Sequence, residues 1–237
     1  RLDTKIQAGE YNISSRITPN EMLNIITTGR TILYTVTIPE GYNLYQIGEL
    51  LENNGILNSR IFVEAVLDPE QVRKAGIEGN PFEGYLFPDT YRFHKVLDAD
   101  TVIKTMLNRF LEVFIPEWEK RSDSIRFSLH DVVILASIVE KETGDPSERP
   151  LIAAVFLNRL KQGMRLESDP TVIYGIKDFN GNLTRKDLLT YTPYNTYRIK
   201  GLPPGPISNP GLDSLKSILN PADKPYLYFV SKNNGTH

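Results

Sequence analysis

Two apolar periods run along the chain, and each predicts its own kind of element. Thr31 to Ile38, TILYTVTI, alternates β-branched and aromatic residues and predicts a strand. Pro39-Glu40-Gly41 reads as the turn after it. Thr18-Pro19 predicts an earlier short helix, with Thr as cap, Pro in the first turn and Gly29 as stop. Asn43-x-x-Gln46 resembles a capping box and leads into LYQIGELLENN, which Gly55 ends. Ser59 reads as the cap of a further helix through about Leu67. Pro81 to Phe93, PFEGYLFPDTYRF, is aromatic and punctuated by Gly and Pro. It predicts a strand–turn–strand linker. A helix follows from about Ala99 to Phe114, stopped by Pro116.

Ser128 with Asp131 reads as a second capping box and opens a helix through about Thr143, with Gly144 as its stop. Ser147 opens another, ERPLIAAVFLNRLKQ, ended by Gly163, with Ile152, Val155, Phe156 and Leu160 on one face. The connection of about four residues predicts an antiparallel hairpin. From Arg165 onward, RLESDPTVIYG and YTPYNTYRIKGLPPGPISNPG are rich in Pro, Gly, Tyr and Asn. Long ordered loops of this kind are often functional. A short helix, LDSLKSIL, and a strand, YLYFV, come last. The expected architecture is α+β in two parts: a small N-terminal one over 1–81 and a larger one over 82–237 that mixes helix and sheet.

The helix after Ser128 poses a chemical question. Val132, Val133, Leu135, Ala136 and Val139 leave it little polar surface, so it is expected to be buried on most sides. Glu140 lies one turn beyond Ala136 and two beyond Val133, on the same stripe. Lys141 and Glu142 point elsewhere. A partly buried carboxyl holds its proton to higher pH and can act as an acid near neutrality. The plainer alternative is a helix-end ion pair with Arg149 or Arg159.

Composition narrows the field. The chain of 237 residues has no Cys, 27 Lys plus Arg and 29 Asp plus Glu, for a net charge of -2. Disulfides, thiolate metal sites and Cys nucleophiles are excluded, and no basic excess points to nucleic acid. The histidines, His94, His130 and His237, form no zinc-type pair, and neither a metal nor a cofactor is expected. There is no G-x-S-x-G, Walker A or G-x-G-x-x-G motif. No apolar run is long enough to span a membrane. The chain begins at Arg1 and ends on NNGTH, and reads as a piece of a longer protein.

Twelve tyrosines against one Trp add a second clue. Tyr85, Tyr91, Tyr174, Tyr194 and Tyr197 fall in the punctuated segments, where an aromatic face with a polar tip suits a sugar ring. Asn195 and Thr196 add amide and hydroxyl groups. Each tyrosine taken singly is better explained by core packing. Glu148 complements a helix dipole beside Glu140, and Asp169 is the second carboxylate if the chemistry needs one. Together these features point to glycan chemistry.

ILASIVEKET, SERPLIAAVFLNRLKQGMRLESDPTVIYG, TPYNTYRIKGLPPGPISNPGLDSLKSILNPADKPYLYFV and FEGYLFPDTYRF resemble the YceG-like endolytic murein transglycosylases over nearly the whole chain. YTVTIPEGYNLYQIGELLENNGIL resembles that family's LysM-like subdomain, here about 31–67. The resemblance implies internal cleavage of nascent peptidoglycan strands between N-acetylmuramic acid and N-acetylglucosamine, leaving 1,6-anhydro-muramyl ends. It implies one N-terminal membrane helix, not in this chain, with the catalytic part on the outer side of the cytoplasmic membrane. Cell-wall synthases are the expected protein partners. The family's catalytic glutamate falls on Glu140. Tyr194, Asn195 and Tyr197 would line sugar subsites, with Asp169 available to the substrate and Tyr85 and Glu148 bordering the acid. The family pattern continues past a Gly-x-His into a final strand, whereas this chain stops at His237. Two rivals stay open: a water-using muramidase with Asp169 as second carboxylate, and a non-catalytic glycan-binding scaffold.

Overall fold

The computed structural model describes residues 6, 9–77, 81–95 and 97–230. Arg1, His237 and the closing NNGTH lie outside the described residues. Helix α1 (Pro19–Thr28) carries a complete capping box from Thr18 and Glu21, and Gly29 ends it in the left-handed conformation. Strand β1 (Tyr34–Thr37) is shorter than its apolar pattern, because Thr31 makes only an isolated bridge to Tyr11. Helix α2 (Leu44–Asn53) starts on the Asn43–Gln46 capping box. Helix α3 (Ser59–Val66) is capped by Asn58, whose side chain accepts from Ile61 N, and not by Ser59. A helix α4 (Pro69–Lys74) follows, capped by Asp68.

Residues 81–89 form turns rather than a strand, and only strand β2 (Thr90–Phe93) continues from them. It pairs antiparallel with β1, Val36 opposite Tyr91. The pairing crosses the expected boundary at 81/82. So does the core: Val36, Ile47 and Phe62 share one buried cluster with Phe82, Phe110, Val133 and Ile218. Helix α5 (Ala99–Glu119) runs through Pro116 instead of stopping there. The missing N–H lies in the last turn, where Ile115 and Trp118 pack on the core and hold the helix.

Helices α6 (Leu129–Glu142), α7 (Arg149–Lys161) and α10 (Leu212–Leu219) pack on one another, and α10 also touches α5. Every residue of α6 from Val132 to Val139 is buried, as its apolar run predicts. Between α7 and α10 lie two short helices that apolar periodicity does not show, α8 (Asp169–Tyr174) and α9 (Arg185–Leu189). No strand forms over 226–230. The side chains of α7 take those carbonyls instead: Asn158 Nδ2 donates to Tyr226 O and Arg159 Nε to Leu227 O.

Candidate active site

Three segments converge where α6 ends: the first residue of α7, the start of α10, and the Pro39–Gly41 turn after β1. The loop 207–211 is fastened to α6 one turn earlier. Ile207 N donates to Ser137 Oγ at 3.0 Å, and the Ser208 hydroxyl donates to Ser137 O at 3.2 Å. Asn209 then locks this loop to two others. Its Oδ1 accepts from Gly84 N and Leu86 N, its Nδ2 donates to Tyr42 O and Glu83 Oε1, and its carbonyl accepts from Gly41 N. The result is a rigid frame that delivers Gly211 N–H and the Glu40 turn to one place.

Glu140 occupies that place. Its side chain is 5% exposed. Arg149 Nη2 donates to Oε1 at 2.9 Å, and Gly211 N donates to Oε2 at 3.0 Å. Burial nevertheless dominates and pushes its pKa above the usual carboxylate range. The Ser214 hydroxyl, Gly211 N–H and Arg149 pull it down, and Glu40 adds to the rise. The acid-like burial and the ion pair read as alternatives from sequence are therefore both present. Arg149 is itself buried and also holds Glu40, with Nη2 to Oε2 at 3.2 Å. Arg159 is spent elsewhere, on the carbonyls of Leu166 and Leu227.

Other sequence-predicted residues fall in separate places. Tyr85 is a core residue: it is 3% exposed, edge-on to Phe110, and its hydroxyl meets His130 Nδ1 at 2.8 Å. His130 lies ten residues before Glu140 on α6, about 15 Å along the axis, so Tyr85 does not border the acid. Glu148 precedes Arg149 and accepts from the Thr143 hydroxyl at 2.9 Å. Asn195 is wholly buried, and its amide donates to the carbonyls of Asp187, Leu188 and Thr190. It shapes its loop and has no surface for a sugar. Tyr197 donates to Asp169 at 2.7 Å. Tyr194 packs against Tyr174, ring centres 4.8 Å apart. The carboxylate that shares Glu140's surroundings is Glu40, not Asp169.

Two features escape the sequence reading. Glu83 is fully buried with no cation on it among the described residues; it accepts from Leu44 N, Tyr174 Oη and Asn209 Nδ2. Loss of water pushes its pKa up to about 8, against those three hydrogen bonds. Its only sequence signal is one acid among the aromatics of FEGYLF. A cavity of about 620 Å³ opens beside Tyr174, lined by Asn43, Tyr45, Ile173, Lys177 and Phe179. Asn43 stands two residues from Gly41, and a Cβ on Gly41 would lie 3.4 Å from Glu140 Cγ. Among the described residues no group of His, Asp and Glu could hold a metal ion.

Comparison with known proteins agrees with this architecture. A crystal structure of a YceG-like protein from Listeria monocytogenes superposes with a TM-score of 0.77 at 33% identity, over 96% of this chain and 80% of that one. The endolytic murein transglycosylase of Bacillus subtilis (strain 168) is 34% identical over 251 residues, 97% of this chain and 68% of that protein. That of Streptococcus pneumoniae serotype 2 (strain D39 / NCTC 7466) is 30% identical over 259 residues, and the chain spans about half of its length, 47%. Residues 1–237 match the YceG-like family in full, and the chain belongs to that family.

Proposed function

We propose that this chain is a lytic transglycosylase of peptidoglycan with Glu140 as its acid and base. The observation that carries the reading is a carboxyl at the end of a buried helix whose burial outweighs an Arg contact. The relatives named endolytic murein transglycosylase supply the substrate class. Protonated Glu140 donates to the glycosidic oxygen between N-acetylmuramic acid and N-acetylglucosamine as the C1–O bond breaks. The muramyl C6 hydroxyl then attacks C1 and returns its proton to Glu140, closing a 1,6-anhydro ring. Water is not consumed, and the intramolecular attack gains from proximity. The cavity at Tyr45, Tyr174 and Phe179 is the natural seat for neighbouring sugars, with aromatic faces beside Asn43 and Lys177.

The competing hydrolytic reading has a specific point in its favour, since Glu40 is a second carboxylate. Both carboxylates touch one nitrogen, however, so their contacting oxygens lie within about 6 Å, and Arg149 fills the gap. An inverting hydrolase keeps roughly 6.5–9.5 Å open for its water, and a retaining one sets its second carboxylate against the sugar as nucleophile; a guanidinium held between the two carboxylates suits neither arrangement. The reading extends to attachment by a membrane helix ahead of this segment, action on the outer side of the cytoplasmic membrane, and cell-wall synthases as partners. Mass spectrometry of products from uncrosslinked strands tests the chemistry. Ends one water lighter than hydrolysis products are expected. Ordinary reducing ends would make the protein a muramidase, and bound but intact strands would make it a scaffold.

A further inference from the structure

Arg149 meets Glu140 through Nη2 alone, not by the two-pronged fork that holds a carboxylate firmly ionised. The same Nη2 is shared with Glu40 Oε2, and Arg149 Nε is buried with no hydrogen-bond partner among the described residues. Glu40 differs from Glu140 in being 48% exposed. It comes from a distant turn, and that turn is pinned. Gly41 N donates to Asn209 O, and Lys141 Nζ donates to Gly41 O at 3.2 Å. The Glu40 carboxyl also lies directly on Gly211, where a Cβ would fall 1.8 Å from Oε1. Gly211 has an ordinary φ of -74°, so backbone strain does not call for glycine here, and Glu40 takes the space a side chain would fill. The fold thus spends a glycine, a clamped turn and a buried arginine on placing a second carboxylate beside the first.

We propose that Glu40 is a positioning residue of the Glu140 site, which shares the Arg149 guanidinium so that Arg149 orients Glu140 without capturing it as a carboxylate. This rests on the reading of Glu140 as the acid. Among the described residues, the charged groups around Glu140 are few. On α6, Lys141 is turned to Gly41 O and Glu142 accepts from the Ser168 hydroxyl. From α7 comes Arg149, from the turn Glu40, and from α10 the Gly211 N–H and Ser214. Glu40 is the one carboxylate among them that contacts Arg149 alongside Glu140. Its negative charge opposes ionisation of Glu140; removing it leaves the arginine to Glu140 alone.

The test is Glu40→Gln, which keeps an acceptor for Arg149 and removes the charge, measured across a pH series on glycan strands. The basic limb of the activity profile is expected to move down by roughly 0.5–1 pH unit. Activity near neutrality falls severalfold and recovers as the pH is lowered; Glu40→Asp, which keeps the charge, shifts the limb less. Carboxyl-carbon NMR titration of Glu140, assigned by the signal lost in Glu140→Gln, should show the same downward shift without any reliance on turnover. An unmoved limb with an unmoved Glu140 midpoint overturns the proposal and leaves Glu40 a surface contact. Activity retained in Glu140→Gln would instead defeat the assignment of the acid, and the NMR midpoint would still decide whether Glu40 controls that carboxyl.

Discussion

At the scale of single residues, the molecule sets two buried glutamates in opposite company. Glu140 has a cation, a backbone N–H and a second carboxylate beside it, whereas the described donors to Glu83 are all neutral. Their pH behaviour follows. Glu83 titrates near 4.5 when unfolded and near 8 when folded. Below about 4.5 both states keep the proton. Between the two values only the native state does, so stability falls as pH rises through that window. Thermal melting of the native protein should therefore drop from pH 5 to pH 8, and Glu83→Gln should flatten that part of the curve. Parallel curves for the two proteins would contradict the account. Glu140 was legible in the sequence, because one helical stripe carries it and little else. Glu40 was not: it stands in a Pro-Glu-Gly turn a hundred positions away, and only the fold brings the two together. The amide of Asn195 read as a sugar ligand for a similar reason, since sequence shows a group's donors but not the carbonyls that consume them.

At the scale of elements, paired capping boxes were a better guide than single serines: Asn58 rather than Ser59 caps α3, and α7 starts at Arg149 with no side-chain cap from Ser147. Thr18–Glu21, Asn43–Gln46 and Ser128–Asp131 each start a helix where the pattern places it. The short helices α4, α8 and α9 carry caps or an early Pro too, but five or six residues are too few for an apolar period to emerge. Pro116 and the 226–230 segment failed for a different reason: packing on the core carries α5 past the proline, and α7 side chains satisfy carbonyls that a neighbouring strand would take. The turn after Phe82 gives a direct test of such packing. Gly84 has a φ of +88°, and a Cβ there would lie 2.6 Å from both Pro206 and Val133. Gly84→Ala should cost about 1–3 kcal/mol, visible as an earlier urea midpoint with an unchanged slope. A midpoint equal to that of the native protein would show that the contact is not tight.

At the scale of the whole molecule, α+β composition and family were both legible, because long motifs cover nearly the entire chain and agree with the matched relatives. The expected division at 81/82 is where distant pairing matters most. β1 and β2 come from opposite sides of it, and one hydrophobic cluster includes residues from both. The Glu140 site depends on the same junction, since the Glu40 turn meets α6, α7 and the 207–211 loop there. Calorimetry should accordingly give one cooperative transition, with calorimetric and van't Hoff enthalpies equal. Two resolved transitions would mean that the parts unfold separately.

If Glu140 is the proton donor and acceptor, replacing it abolishes cleavage and leaves the fold standing. The protein and its Glu140→Gln variant are incubated with uncrosslinked peptidoglycan strands, and the fragments are weighed. Anhydro-muramyl ends are expected from the native protein and intact strands from the variant, whose melting curve should still show a single folded transition. Anhydro fragments from a well-folded variant at a comparable rate would contradict that role.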